Sequence, residues 1–127
     1  MTLRFYIIYT RGTVRALSFL INSLLQWSDC EFCLVANGCD EAEAEHLQKL
    51  RAGSQRLSYL ALPSAGIMPH GDALNYLQSH HDGKYFCFMD SDIYANGPFM
   101  DDFAPRLSHY AGIFSGAALT IQPPVCA

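Results

Sequence analysis

The sequence has few charged residues and little positive charge. Of its 127 residues, 16% are Asp, Glu, Lys or Arg, and the net charge is −4. A surface that binds nucleic acid would show clustered Lys and Arg, so we expect no nucleic-acid partner. Anion binding stays open, because helix N-termini and bound metal ions hold anions without cationic side chains.

Long hydrophobic runs are also missing. The apolar segments are far shorter than the ~20 residues that a transmembrane helix needs. The first residues, MTLRFYIIYTRG, lack the basic start and long apolar core of a signal peptide. We therefore expect no transmembrane segment and a cytoplasmic location. Half of the residues are hydrophobic, which is a globular composition, and the length predicts a single domain over residues 1–127.

The cysteines are few, and their number is odd. They are Cys30, Cys33, Cys39, Cys87 and Cys126. An odd number, with Cys87 inside an apolar run, favours reduced thiols over disulfides. Cys30 and Cys33 form a C-x-x-C, but alternation along a strand would direct the two thiols to opposite faces. No second pair has suitable spacing, so we expect no zinc site.

The apolar pattern predicts strands that alternate with helices. The expected strands lie at residues 3–9, 31–37, 56–62, 84–89 and 112–121. The expected helices lie at 13–27, 40–52 and 72–80, and a further helix begins at 96–98. This alternation predicts an α/β fold with a mostly parallel sheet and helices on both faces.

Glutamates are concentrated where the helix at 40–52 begins. Asp40 and Glu43 have the spacing of a capping box, in which each side chain bonds the other residue's backbone N–H. We expect Glu41, Glu43 and Glu45 otherwise to form a solvated acidic surface.

Residues that follow the strands are the candidates for a binding site. In an open parallel sheet a ligand binds beyond the carboxyl ends of the strands, where the strand order reverses. The candidates are therefore the four stretches Thr10 to Gly12, Asn37-Gly38, Pro63-Ser64 and Asp90 to Asp92.

Asp90 and Asp92 follow an apolar strand in the stretch KYFCFMDSD. Residues two apart on an extended chain point to the same side, and two carboxylates that face one way repel each other unless a cation lies between them. Carboxylate oxygens favour Mg²⁺ or Mn²⁺, which often complete their coordination with phosphate oxygens. The alternative is that Asp92 or Asn96 merely caps the next helix. The pattern alone leaves both open.

Three blocks of the sequence together resemble family 2 glycosyltransferases with the glycosyltransferase-A fold, over roughly residues 3–105. The block ALNYLQSHHDGKYFCFMDSD is similar to the family's A-R-N, short helix, G-E-Y, apolar strand and D-x-D. The block FYIIYTRGTVRALSFLINSLLQ resembles the opening strand, turn and helix of the family, and EFCLVANGCDE resembles its second strand and N-G-S-x-D turn.

The resemblance implies a Rossmann-like fold of the nucleotide-diphospho-sugar transferase type and metal-dependent binding of a nucleotide-sugar, most often a UDP-sugar. The implied metal ligands for Mn²⁺ or Mg²⁺ are Asp92 and Asp90. The implied nucleotide-binding residues are Thr10, Arg11, Asn37, Asn75, Asp90 and Ser91. The loop at residues 70–72 would flank the diphosphate. The acceptor that receives the sugar is not implied.

Three departures from the family pattern affect these implications. Thr10 stands where the family usually has Asn. Leu74 stands where the family often has Arg, and we expect Arg11 to compensate for the missing cation. No residue matches the carboxylate that acts as general base in inverting members, so the catalytic residues are unknown. We expect the chain to be the donor-binding half of a transferase without the acceptor-binding half. Apolar surface left exposed in this way would favour self-association.

Several alternatives accompany this interpretation. A nucleotide-binding module without turnover fits the missing general base. A phosphohydrolase of the haloacid dehalogenase type also has a D-x-D, usually after the first strand. For the histidines, His80 and His81 are expected to cap a helix C-terminus. His70 is either a ligand contact or a surface residue.

Overall fold

Aromatic and β-branched residues form the strands of a parallel sheet. The computed structural model describes residues 3–102, 104–107, 109 and 112. Its strands are β1 (Arg4–Thr10), β2 (Glu31–Asn37), β3 (Leu57–Ala61) and β4 (Cys87–Met89). Every pairing in this sheet is parallel. The predicted α/β class is therefore confirmed.

The helices connect these strands. They are α1 (Val14–Leu17), α2 (Ile21–Gln26), α3 (Glu41–Ala52) and α4 (His70–His80). Short 3₁₀ turns lie at Ser18–Leu20, Met100–Asp102 and Ala104–Arg106. Within the described ranges, no helix is both long enough and apolar enough to cross a membrane.

The strand order places a reversal between β1 and β4. The order across the sheet is β3-β2-β1-β4, so the chain moves outward from β1 to β3 and then returns to the other side of β1. Thr10 pairs with Asn37, and Ile7 pairs with Met89. The carboxyl ends of β1 and β4 therefore lie side by side at one end of the sheet, which is where such folds bind ligands.

Both faces of the sheet are buried. On one face, Tyr6 and Val35 pack against Ala73 and Leu77 of α4. Alternation sends Ile7, between Tyr6 and Ile8, to the opposite face. On that side α3 contacts β2 and β3, and α1 contacts α3. This arrangement explains why β2 is buried at six consecutive positions, as expected of a strand covered on both sides.

The prediction of a single helix at residues 13–27 is wrong. The segment is an α-helical turn, a 3₁₀ turn and a second α-helix. The hydroxyl of Ser23 donates to the carbonyl of Leu20 at 2.8 Å, a contact that bends helices. Ser18 in the 3₁₀ turn is 1% exposed, so burial rather than helical periodicity fixes the chain there.

The fourth strand is shorter than predicted, because it covers three residues instead of 84–89. The carbonyl of Tyr85 accepts a hydrogen bond from Nε2 of His81 at 2.7 Å, so it is engaged outside the sheet. The helix expected to begin at 96–98 is replaced by the two 3₁₀ turns after residue 99. The strand predicted at 112–121 lies outside the described residues, apart from Gly112.

The remaining predicted elements agree with the structure to within two residues at each end. Strand β2 and helix α3 have the predicted extents, and α3 begins with the predicted capping box. The chain divides into two compact units, Met1–Gly97 and Pro98–Ala127. The first unit contains the sheet and helices α1 to α4.

Candidate functional site

A cleft of about 290 Å³ opens at the carboxyl ends of β1 and β4. Because the strand order reverses between these two strands, the cleft occupies the position expected of a ligand site in this architecture. Its lining residues are Ile8, Thr10, Leu17, His70, Met89, Asp90, Ser91 and Asp92. Four of the predicted site residues, Thr10, Asp90, Ser91 and Asp92, are therefore brought together.

Asp90 and Asp92 lie in the turn that follows β4, and both are exposed. Among the described residues, neither carboxylate has a hydrogen bond or ion pair, and Asn96 does not cap a helix either. The turn is instead followed by a backbone tether, in which the N–H of Ala95 donates to Oγ of Ser23 at 2.8 Å. Both carboxylates are thus available to a ligand in the cleft.

The donor atoms of this pair fit a small, hard cation. No group of three or more His, Cys, Asp or Glu side chains in the described part of the chain is placed to hold a metal ion. Mg²⁺ needs no such cage, because it is commonly held by one or two carboxylates while waters and substrate phosphates complete its shell. Asp90 and Asp92 meet that requirement only together with a phosphate-bearing ligand.

The turn after β1 places Thr10 in the cleft but directs Arg11 elsewhere. The carbonyl of Thr10 accepts from the hydroxyl of Thr13 at 2.7 Å, and Gly12 has a φ of +89°. Nε of Arg11 donates to the carbonyl of Gly38 at 2.9 Å. Arg11 is exposed and does not line the cleft. Its predicted compensation for the absent arginine therefore lacks support in this geometry.

Glu43 secures the same turn, so the prediction of a purely solvated glutamate is wrong. Its side chain is 7% exposed and makes two hydrogen bonds. Oε1 accepts from the N–H of Asp40 at 3.1 Å, which completes the capping box, and Oε2 accepts from the N–H of Gly12 at 2.7 Å. The start of α3 thereby fixes the loop that leads out of β1.

The amide of Asn37 is bonded to a loop rather than directed into the cleft. Asn37 is 2% exposed. Its Nδ2 donates to the carbonyl of Met68 at 2.9 Å, and its Oδ1 accepts from the N–H of Met68 at 2.7 Å. Asn75 is exposed on α4 and does not line the cleft. Both residues were predicted to bind nucleotide, and the structure places both outside the cleft walls.

His70 lies in the cleft, where the sequence left its role open. It is the first residue of α4. Its ring packs edge-on against Phe88 of β4, with ring centroids 6.4 Å apart. The apolar wall formed by Ile8, Leu17 and Met89 was not predicted. The feature of the sequence that indicates this wall is alternation along β1, which puts Ile8 on the same face as Thr10.

The two histidines at the C-terminal end of α4, His80 and His81, have separate roles. Nδ1 of His80 donates to the carbonyl of Tyr76 at 2.8 Å, as expected of a residue that caps the end of a helix. The ring of His81 does not cap α4. It bonds the hydroxyl of Tyr6 at 2.9 Å and the carbonyl of Tyr85 at 2.7 Å.

The four cysteines that the structure describes add no reactive group to the cleft. Cys30, Cys33, Cys39 and Cys87 are free cysteines, and Cys126 lies outside the described residues. Burial raises the pKa of each of these four thiols above its usual range. Desolvation therefore disfavours the thiolate, the form that acts as a nucleophile and metal ligand.

The parallel sheet, the reversal of strand order and the carboxylate turn agree with the match to a known family. The model of glycosyl transferase family 2 matches residues 7–122. The chain therefore belongs to glycosyl transferase family 2, which has the glycosyltransferase-A, Rossmann-like fold. The resemblance found in the sequence is confirmed, and the haloacid dehalogenase alternative is wrong. No curated protein matches the chain.

Proposed function

We propose that the cleft is the donor site of a glycosyltransferase and binds a nucleotide-sugar, specifically a UDP-sugar, together with Mn²⁺ or Mg²⁺. The observation that carries the proposal is a pair of carboxylates, Asp90 and Asp92, which lie where strand order reverses and have no bonding partner among the described residues. Family membership supports a nucleotide-sugar donor in general. The uridine base and the metal go beyond it.

The chemistry of the cleft suits the departure of a nucleoside diphosphate. Asp92 and Asp90 would hold the cation, which when bound offsets the charge that the diphosphate gains as the glycosidic bond breaks. Thr10 at the end of β1 and Ser91 in the turn after β4 offer hydroxyl groups to the cleft. The apolar side chains Ile8 and Met89 line the cleft beside these polar groups.

Calorimetric titration with UDP tests the proposal directly. We expect binding that requires Mn²⁺ or Mg²⁺ and that is lost, or weakened at least about tenfold, in Asp92→Ala. Asp29→Ala is the matched control. Asp29 is an exposed aspartate just before β2, at the end of the sheet where the strands begin and far from the cleft. Tight UDP binding that persists in EDTA would remove the metal from the proposal.

A transfer assay distinguishes an active glycosyltransferase from a module that binds nucleotide without turnover. With UDP-sugars and Mn²⁺, an active enzyme releases UDP by transfer or by slow hydrolysis. Binding of UDP without any release of UDP from a panel of UDP-sugars would favour the module.

A further inference from the structure

His70 is the only basic side chain that lines the cleft, as judged from the residues that the structure describes. The lining also contains the carboxylates of Asp90 and Asp92. A diphosphate bound there brings further negative charge, which one divalent cation offsets only in part. A hydrogen-bond donor from the protein would therefore strengthen binding, and the lining offers few such donors.

The ring of His70 has a packing contact on one side, and its nitrogen atoms are available to a ligand. Its edge-on contact with Phe88 orients it against β4. Neither ring nitrogen has a hydrogen-bond partner among the described residues, and the side chain is exposed. In the neutral form one nitrogen donates, and in the protonated form both donate. His70 can thus bond a phosphate oxygen without breaking any contact within the protein.

A residue of β2, a strand that contributes nothing to the cleft lining, fixes the position of His70. Asn37 at the end of β2 binds both the N–H and the carbonyl of Met68. Met68 is followed by Pro69, the N-cap of α4, and then by His70. The loop is also pressed against Gly38, where an added Cβ would lie 3.0 Å from the Cα of Ile67. The loop therefore has little room to slide along the end of β2.

We propose that His70 donates a hydrogen bond to a phosphate oxygen of the nucleotide donor, and that Asn37 is a positioning residue that holds His70 in the cleft through Met68. This inference rests on the proposed function. It also gives Asn37 a role other than the direct nucleotide contact expected from the sequence, because both ends of its buried amide are already bonded to the loop.

The first test compares UDP with uridine in the presence of Mg²⁺, which is diamagnetic and permits NMR titration. We expect His70→Ala to weaken UDP binding roughly tenfold, the scale of a hydrogen bond to a charged group, and to leave uridine binding unchanged. His70→Gln retains a donor and should recover part of the loss. His80→Ala, at the far end of α4, is the matched control and should bind as the wild type does.

The second test is a double-mutant cycle between positions 37 and 70. Asn37→Ser removes the two-point contact with Met68, and we expect it to weaken UDP binding severalfold when His70 is present. In the His70→Ala background it should change UDP affinity by less than about twofold, because the group that it positions is gone. A purely structural role would lower affinity equally in both backgrounds. If Asn37→Ser does not fold, Asn37→Asp takes its place in the cycle, because it keeps the acceptor for the N–H of Met68 and loses only the donor to its carbonyl.

The outcomes distinguish a failure of this inference from a failure of the proposed function. If wild type binds UDP with metal, Asp92→Ala does not, and His70→Ala is unchanged, the role of His70 is overturned and the donor site stands. Equal effects of Asn37→Ser in both backgrounds overturn the positioning role. If the wild type fails to bind UDP with either cation, both proposals fall.

Discussion

Tyr9 shows how strongly the core constrains a single polar group. It is 1% exposed, and its hydroxyl has no hydrogen-bond partner within the described ranges. Burial raises its pKa to about 12, because the phenolate would have to be formed away from water. The residue lies in β1, one position before Thr10 of the cleft, so its packing supports the strand that carries the site.

We expect Tyr9→Phe to remove an alkaline sensitivity from the protein. An unfolded tyrosine titrates near 10, below its folded pKa of about 12. The stability associated with this group is therefore complete below about pH 10 and is lost as the pH rises towards 12. The loss is about 2–3 kcal/mol of unfolding free energy.

Urea denaturation at pH 8 and at pH 11 measures this effect. Wild type should lose more stability between the two values than Tyr9→Phe does. Near neutral pH the variant should be as stable as wild type or slightly more stable, because an unpartnered buried hydroxyl is removed. Tyr94→Phe, at a tyrosine with 64% exposure, is the control. Equal pH dependence in wild type and Tyr9→Phe would contradict the prediction.

At the scale of elements, Arg56 joins the start of β3 to a single stretch that lies 26 to 31 positions earlier in the chain. Nη2 donates to the carbonyl of Leu25 at 2.6 Å, and Nη1 donates to the carbonyls of Ser28 at 2.6 Å and Cys30 at 3.2 Å. These carbonyls belong to the end of α2 and to the loop that leads into β2. A helix end leaves such acceptors unsatisfied, and the guanidinium just before β3 bonds them.

Arg56→Lys should destabilise the fold although the charge is retained. A lysine ammonium lacks the planar fork that reaches several carbonyls at once. We expect a cost of about 1–3 kcal/mol in the free energy of unfolding, read from urea titration. Arg51→Lys, at an exposed position of α3, is the matched control and should stay within about 0.5 kcal/mol of wild type. Indistinguishable midpoints for the two variants would show that the fork is dispensable.

The elements that were predicted well are those whose signals are local. Strand β2 is a continuous apolar run ended by Asn-Gly, and α3 begins with Asp40 and Glu43 at capping-box spacing. The helix at 13–27 and the strand at 84–89 were misjudged for the opposite reason. The back-bond of Ser23 and the contact of His81 with Tyr85 override their apolar periodicity.

At the scale of the whole molecule, several large apolar side chains face solvent. Phe19 is 61% exposed, Ile67 is 56% exposed and Tyr94 is 64% exposed. Single exposed apolar residues are ordinary, whereas a contiguous exposed apolar patch favours association. The self-association expected from the sequence remains a prediction.

Sedimentation velocity at increasing protein concentration tests that expectation. We predict a rise in average mass with concentration, because association would bury exposed apolar side chains. The rise should be smaller in Phe19→Ser. Asn22→Ser, an exposed polar position in the adjacent helix, should behave as the wild type does. A constant monomer mass for the wild type across the concentration range would refute the prediction.

The sequence alone determined the alternation of strands and helices, the parallel sheet and the placement of Asp90 and Asp92 at a strand end. These features follow from patterns that repeat over a few residues, and such patterns are set by backbone geometry. The tertiary structure decided which side chains share the cleft. Asn37 bonds Met68, 31 positions away, and Arg11 bonds Gly38, 27 positions away. Hydrogen bonds of this range depend on strand order and loop path, which is why His70 lines the cleft and Arg11 and Asn37 do not.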